Sequence, residues 1–173
     1  SRSIVHKTDI GGVALGLRSK TGVRTAFRQM TRRVEAAGGA DAMDGVVLQT
    51  MVPDGQELII GMSLDPVFGP LIMVGLGGVH VEVVRDIAFA IHPLRDTDPA
   101  WMLSQLKGQR LLDAWRGRAA RDRTALSETL LRFSALVEDL PEIEEIEINP
   151  VTVFEEGSGC VAVDARVRVG PAA

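Results

Sequence analysis

A chain of 173 residues is long enough for one hydrophobic core or two small ones. Apolar residues make up 46% of it, which excludes a disordered segment, and a net charge of −4 excludes a general nucleic-acid binder, because phosphate backbones reward a basic surface. No run approaches the roughly 18 apolar residues that span a bilayer, the opening "SRSIVHKTDIGG" lacks the apolar centre of a leader, and a single cysteine leaves no internal disulfide, so the expectation is a cytoplasmic protein without membrane contact.

In chain order, "GVALGL" predicts a short strand. Ser19 then caps a helix from Lys20 to Ala37 with Val23, Phe27, Met30 and Val34 on one face, and Gly38 and Gly39 stop it. "GVVLQTMV" and "ELIIGMSL" predict strands joined by a turn at Pro53, Asp54 and Gly55, and "GPLIMVGLGG" and "DIAFAIHPL" add two more. Thr97 or Asp98, followed by Pro99, opens a helix to about Leu106, and "RLLDAWRG" predicts a further helical turn or two. The strongest helix runs from Thr124 to Asp139, capped by Asp122, with Leu126, Leu130, Phe133 and Val137 inward and Pro141 beyond its end. "IEINPVTVFEEGSGCVAVDARV" closes the chain as a hairpin. This order predicts an α+β fold of mixed or antiparallel sheets with flanking helices.

The hairpin raises a question of chemistry. With its turn centred on Glu156 and Gly157, antiparallel pairing sets Asn149 opposite Asp164 on one face. An amide cannot titrate, so the pair is a poor acid and base, but one carboxylate and one amide oxygen suit Mg²⁺, which takes one or two protein oxygens and completes its octahedron with water and phosphate. A turn asparagine before proline and an ordinary strand-end aspartate would look the same. In "HKTDIGGV", Gly11 and Gly12 can bring backbone N–H groups to an anion, with His6 and Lys7 beside them, or can simply make a terminal turn. "GLGGVHVEVVRD" has neither the spacing nor the following helix of a dinucleotide fingerprint. In "LQTMVPDGQEL" a strand end followed by Glu57 can form a nucleoside hinge or an ordinary hairpin. Cys160 reads as a packed thiol, His80 and His92 as half-buried strand residues, Trp101 and Trp115 as packed between helices, and Arg116, Arg118, Arg121 and Arg123 as a solvated basic loop.

Taken together, "HKTDIGGV", "QTMVPDGQELIIGM", "GPLIMVGLGGVHVEVVRDIAFAIHPL", "RGR" and "EIEINPVTVF…VAVDARV" resemble, in that order, the ATP-grasp domain of ADP-forming acyl-CoA synthetases, relatives of succinyl-CoA synthetase. The resemblance covers nearly the whole chain. It implies an ATP-grasp fold incomplete at its N-terminus, with residues 1–48 ending the N-terminal subdomain and residues 49–173 forming the C-terminal subdomain that carries the metal site. It implies Mg²⁺ on Asn149 and Asp164, adenine against Gln49, Thr50, Met51 and Val52, a nucleotide contact from Glu57, a phosphate-side loop at His6, Gly11 and Gly12 with His6 carrying phosphate transiently, and a supporting role for Glu82.

The implied reaction converts acyl-CoA, ADP and phosphate to acid, CoA and ATP, reversibly, through an acyl phosphate and a phosphohistidine. Its cofactors are Mg²⁺ and ATP or ADP, and its partners are CoA, a carboxylic acid, and CoA-binding and ligase domains in the same chain or a partner subunit of a homo- or hetero-oligomer. The family's nucleotide-gripping lysine lies a few residues before the "HK" motif, ahead of Ser1, so the expectation is a piece of a longer protein that does not complete the reaction alone. A second reading is a regulatory ATP-grasp domain fused to a protein lysine acetyltransferase. An ATP-grasp ligase of another substrate class is a third, disfavoured by the "HKTDIGGV" loop.

Overall fold

The computed structural model describes residues 10–38, 42–77 and 86–170. The chain falls into two compact units, Ser1–Met51 and Val52–Ala173. In the first unit the helix α1 spans Lys20–Gly38. Ser19 caps it as expected: its Oγ accepts from the N–H of Gly22 at 3.0 Å, satisfying one of the donors a helix start leaves open. Ala26 and Val34 are its buried residues, whereas Phe27, expected inward, is exposed. "GVALGL" and "GVVLQTMV" are not strands: residues 12–17 and 45–52 carry no regular secondary structure and belong to no ladder. Alternating apolar residues suit a strand, but a strand exists only where another segment takes up its backbone hydrogen bonds, and no described segment does so there.

The second unit is one antiparallel sheet with helices on one face. Its strands are β1 (Gln56–Asp65), β2 (Gly69–Leu76), β3 (Ile87–Ile91), β4 (Ile143–Val153), β5 (Cys160–Ala162) and β6 (Ala165–Val169). The order across the sheet is β3-β2-β1-β4-β5, and β6 also pairs with β4. Two helices, α2 (Asp98–Gln105) and α3 (Arg123–Asp139), lie between β3 and β4 in the chain, separated by a short 3-10 turn at Gln109–Leu112 where helical structure was expected from "RLLDAWRG". Leu58, Ile60 and Met62 of β1, Ile72 and Val74 of β2, and Ile146, Val151 and Val153 of β4 meet Met102, Leu103, Leu106, Leu112, Leu126, Leu130, Phe133 and Val137 in the core. The four inward residues read from the α3 periodicity are all buried. Trp101 and Trp115 are instead exposed, with the Arg116 guanidinium 5.4 Å from the Trp115 ring.

Two buried carboxylates fix the connections. Asp86 accepts from the backbone N–H groups of Lys107 and Gly108, both at 2.7 Å, tying the loop after α2 to the start of β3. Asp122 caps α3 by accepting from Ala125 N–H at 2.9 Å, and its second oxygen accepts from Gly159 N–H at 2.9 Å in the β4–β5 turn. Those donors, Ala125 first, hold its carboxyl below the usual aspartate range. No helix among the described residues is long and apolar enough to cross a membrane.

Candidate functional site

The face of the sheet opposite α2 and α3 carries the polar residues. On β1 the inward residues Leu58, Ile60 and Met62 alternate with Glu57, Ile59 and Gly61, so Glu57 stands on the other face, exposed, with Thr152 of β4 as its register partner. On β4 the alternation changes phase. Ile146 and Ile148 turn to the core, then Val151 and Val153 do, because Asn149 and Pro150 together oppose the single residue Ile59 in a β-bulge. Asn149, next to the inward Ile148, falls on the other face, and the bulge returns Val151 to the core.

From Glu145 to Val153 the pairing of β4 with β6 and β5 keeps one register. Val151 faces Ala162 and Ile148 faces Ala165, and between them Asn149 N–H donates to Asp164 C=O at 3.0 Å while Val163 N–H donates to Pro150 C=O at 3.0 Å. Asn149 and Asp164 are thus direct neighbours, the placement expected from a turn centred on Glu156 and Gly157, and both side chains are exposed. Each has one atom occupied: Asn149 Nδ2 donates to Glu147 Oε1 at 3.1 Å, and Asp164 Oδ1 accepts from Ala165 N–H at 3.0 Å. Asn149 Oδ1 and Asp164 Oδ2 have no partner among the described residues. Glu147 is the residue the sequence reading passed over, although its spacing of two from Asn149 places both on one face.

Glu57 is held by its backbone. Its carbonyl accepts from Gly77 N–H at 2.7 Å, and a Cβ on Gly77 would come within 2.7 Å of the Glu57 carbonyl carbon. In the first unit Gly11 has φ +67, a conformation that favours glycine, and its carbonyl accepts from Arg33 Nη1 at 3.3 Å. Gly12 follows it outside any regular element. Gln49, Thr50 and Met51 end the first unit as exposed irregular chain and Val52 opens the second. His6 and Glu82 lie outside the described residues, as do Lys7 and His80.

The remaining candidates are structural. Cys160 Sγ packs 3.1 Å from Thr129 Oγ1. His92 is enclosed, its Nδ1 3.1 Å from Ser134 Oγ and its Nε2 3.1 Å from Glu138 Oε2. Arg116 and Arg118 are exposed, whereas Arg123 bonds the Gln109 carbonyl and the Asp113 carboxylate, each at 2.9 Å. No group of three or more His, Cys, Asp or Glu side chains capable of holding a metal occurs among the described residues, which leaves the Asn149–Asp164 pair as a set of two donors, one of them an amide.

A family model described as the ATP-grasp domain matches residues 1–169. The chain is 41% identical over 167 residues to 4-hydroxybutyrate–CoA ligase (ADP-forming) of Nitrosopumilus maritimus, covering 96% of this chain and 24% of that protein. It is 42% identical over 170 residues to acetate–CoA ligase (ADP-forming) I of Archaeoglobus fulgidus, again 24% of the relative's length. Against the β subunit of acetate–CoA ligase (ADP-forming) I of Pyrococcus furiosus it is 36% identical and covers 71% of that subunit. Among solved structures, the dinucleotide-forming acetyl-coenzyme A synthetase 1 of Ca. Korarchaeum cryptofilum, in complex with coenzyme A and Ca-AMPCP, superposes with a TM-score of 0.89 at 38% identity over 97% of this chain and 72% of that one. The complex of the same enzyme with coenzyme A and Mg-AMPPCP, its phosphohistidine segment pointing towards the nucleotide binding site, gives 0.86 at 37% over 98% and 73%. In its relatives this domain is therefore either a segment of a larger chain or most of a β subunit.

Proposed function

This chain belongs to the ATP-grasp domain family, and from that premise we propose that it is the nucleotide- and Mg²⁺-binding part of an ADP-forming acyl-CoA ligase. The whole enzyme interconverts acyl-CoA, ADP and phosphate with free acid, CoA and ATP. The observation that carries this reading is the exposed pair at the bulge, in which Asn149 Oδ1 and Asp164 Oδ2 have no partner among the described residues while the other polar atom of each is tied down. Two hard oxygens carrying one negative charge fit Mg²⁺, which keeps most of its octahedron for water and phosphate. When bound, the ion supplies neutralisation of phosphate oxygens during phosphoryl transfer.

The chain's own residues divide the remaining work. Gln49, Thr50, Met51 and Val52 take the adenine edge and Glu57 a ribose hydroxyl. Gly11 and Gly12 offer backbone N–H groups to phosphate, and Glu82 supports the site. His6 attacks the phosphorus of the acyl phosphate through a ring nitrogen, releasing the acid, and a terminal oxygen of ADP then takes the phosphoryl group and restores the imidazole. Splitting the transfer in this way separates acyl chemistry from nucleotide chemistry. CoA and the carboxylic acid are handled by companion domains, in the same chain or in another subunit of a cytoplasmic oligomer.

Calorimetry with ADP on the full-length protein that carries this chain tests the metal assignment. We expect Mg²⁺ to tighten ADP binding in the wild type and to have little effect in Asp164→Asn, while the melting temperature is unchanged because the carboxylate is exposed. Equal Mg²⁺ dependence in both proteins overturns the assignment. For His6, labelling with acyl phosphate should leave acid-labile phosphate on that residue, and label confined to other histidines removes it from the relay.

A further inference from the structure

The exposed side of α1 carries charge of one sign. Lys20, Arg24, Arg28 and Arg32 recur every four residues, the spacing that stacks side chains one above another along a helix, and all four are exposed. The helix holds five of the chain's nineteen cations and one of its twenty-three acids. The fifth cation, Arg33, lies off this row and is used internally, its Nη1 donating to the Gly11 carbonyl at 3.3 Å. No member of the row has an ion-pair partner among the described residues, and neither does Glu35, the acid three residues past Arg32. The other long helix is built differently: on α3, Arg132 has Glu128 four residues before it at 3.7 Å.

Like charges four residues apart repel and weaken a helix, and here they do so at Lys20–Arg24, Arg24–Arg28 and Arg28–Arg32. Solubility alone does not call for this, since a surface that intersperses both signs is as soluble without the repulsion. Nothing among the described residues offsets it. Local choices that oppose the fold without an internal gain mark functional surfaces.

We propose that the Lys20, Arg24, Arg28 and Arg32 row of α1 is a docking surface for an acidic segment of a protein partner, engaged through its carboxylates. The row is about 18 Å long at the helical rise, so it matches an extended array of charges better than one small anion. Three of its four members are arginines, whose planar fork takes a carboxylate through two parallel hydrogen bonds. Phe27, 44% exposed, stands three residues after Arg24 on the border of the row, and arginine beside an aromatic ring is what protein interfaces concentrate. A lipid surface fits worse, because an interfacial helix sinks its apolar face and that face of α1 holds the buried Ala26 and Val34. Nucleic acid fits worse as well, because outside α1 the acids outnumber the cations and would meet a continuous phosphate backbone.

A short fluorescent poly-L-glutamate peptide serves as the probe, titrated by anisotropy into the full-length protein that carries this chain, for wild type, Arg28→Glu and Arg118→Glu. Arg118 is an exposed arginine of another loop, so its variant makes the same charge change away from the row. We expect Arg28→Glu to lose about tenfold or more in affinity and Arg118→Glu to stay within about threefold of wild type, with wild-type binding weakening as salt rises. No binding by wild type, no loss in Arg28→Glu, or an equal loss in both variants overturns the proposal. Phosphatidylglycerol vesicles and a DNA duplex are titrated in parallel, and Arg28-dependent binding to either of these without binding to the peptide overturns it in favour of lipid or nucleic acid. A second readout needs no partner. Arg28→Glu sets an acid between Arg24 and Arg32 and replaces two repulsions by two attractions, so it should melt no lower than wild type while losing the peptide. A lower melting temperature would show that the row serves the fold, and overturns the proposal.

Discussion

The N–H of Gly77 donates to the carbonyl of Glu57 at 2.7 Å, and no space for a side chain remains between the two backbones. A methyl group at Gly77 would stand 2.7 to 2.9 Å from the carbonyl carbon, the carbonyl oxygen and Cβ of Glu57, all of them rigid parts of the chain. Gly77→Ala should therefore destabilise the protein by about 1–3 kcal/mol through overpacking. Because the strain falls on the residue proposed to meet the ribose, ADP affinity should fall as well. The denaturant midpoint and an ADP titration measure the two effects, and wild-type values for both would show that this contact yields freely.

Leu130, fully buried on α3, sits where the helix meets the sheet. Leu130→Ala leaves a cavity in a core that cannot collapse around it without moving β-strands, and we expect a loss of about 2–5 kcal/mol. Urea unfolding of the two proteins gives this number directly. The Mg²⁺ dependence of ADP binding should survive below the transition, because Asn149 and Asp164 lie on the opposite face.

Asp122 makes stability depend on acid. Its carboxylate accepts from Ala125 and Gly159, which lowers its affinity for a proton in the folded state relative to the unfolded chain. Between the two values the unfolded chain binds more protons, so falling pH favours unfolding. The contribution is complete above the ordinary aspartate range, at about pH 5 and higher, and is lost as the pH drops through the lowered folded value. Asp122→Ala should melt lower than wild type at pH 7, and the gap should narrow progressively as the pH falls below the ordinary aspartate range. A gap that stays constant across that range would mean the ionised carboxylate is not what stabilises this corner.

Local chemistry made much of this architecture legible. Ser19 and Asp122 announce helix starts because short polar acceptors before an apolar periodicity have few other uses, and both make the expected contacts. The hairpin register followed from a glycine-centred turn, and it sets Asn149 beside Asp164. Residues 12–17 and 45–52 were misread because alternating apolarity states what a strand would bury and says nothing about who pairs with it. Phe27 was placed inside by its helical spacing and Trp115 as packed between helices, though a helix face or turn is covered only where another element reaches it. Glu147 was hidden by its surroundings: in "EIEEIEI" every glutamate looks like the solvated half of a strand, and only the three-dimensional contact distinguishes the one that holds an amide from the two that hold an arginine.

The extra residue at Asn149 and Pro150 makes β4 two strands spliced out of phase, one turning its even positions inward and the other its odd ones. Pairing β4 straight through this splice, with both residues kept and no bulge, would set Pro150 opposite Leu58 and turn Val151 and Val153 away from the core in exchange for Thr152. The bulge absorbs the odd residue and lets both halves of β4 keep an apolar row against the helices.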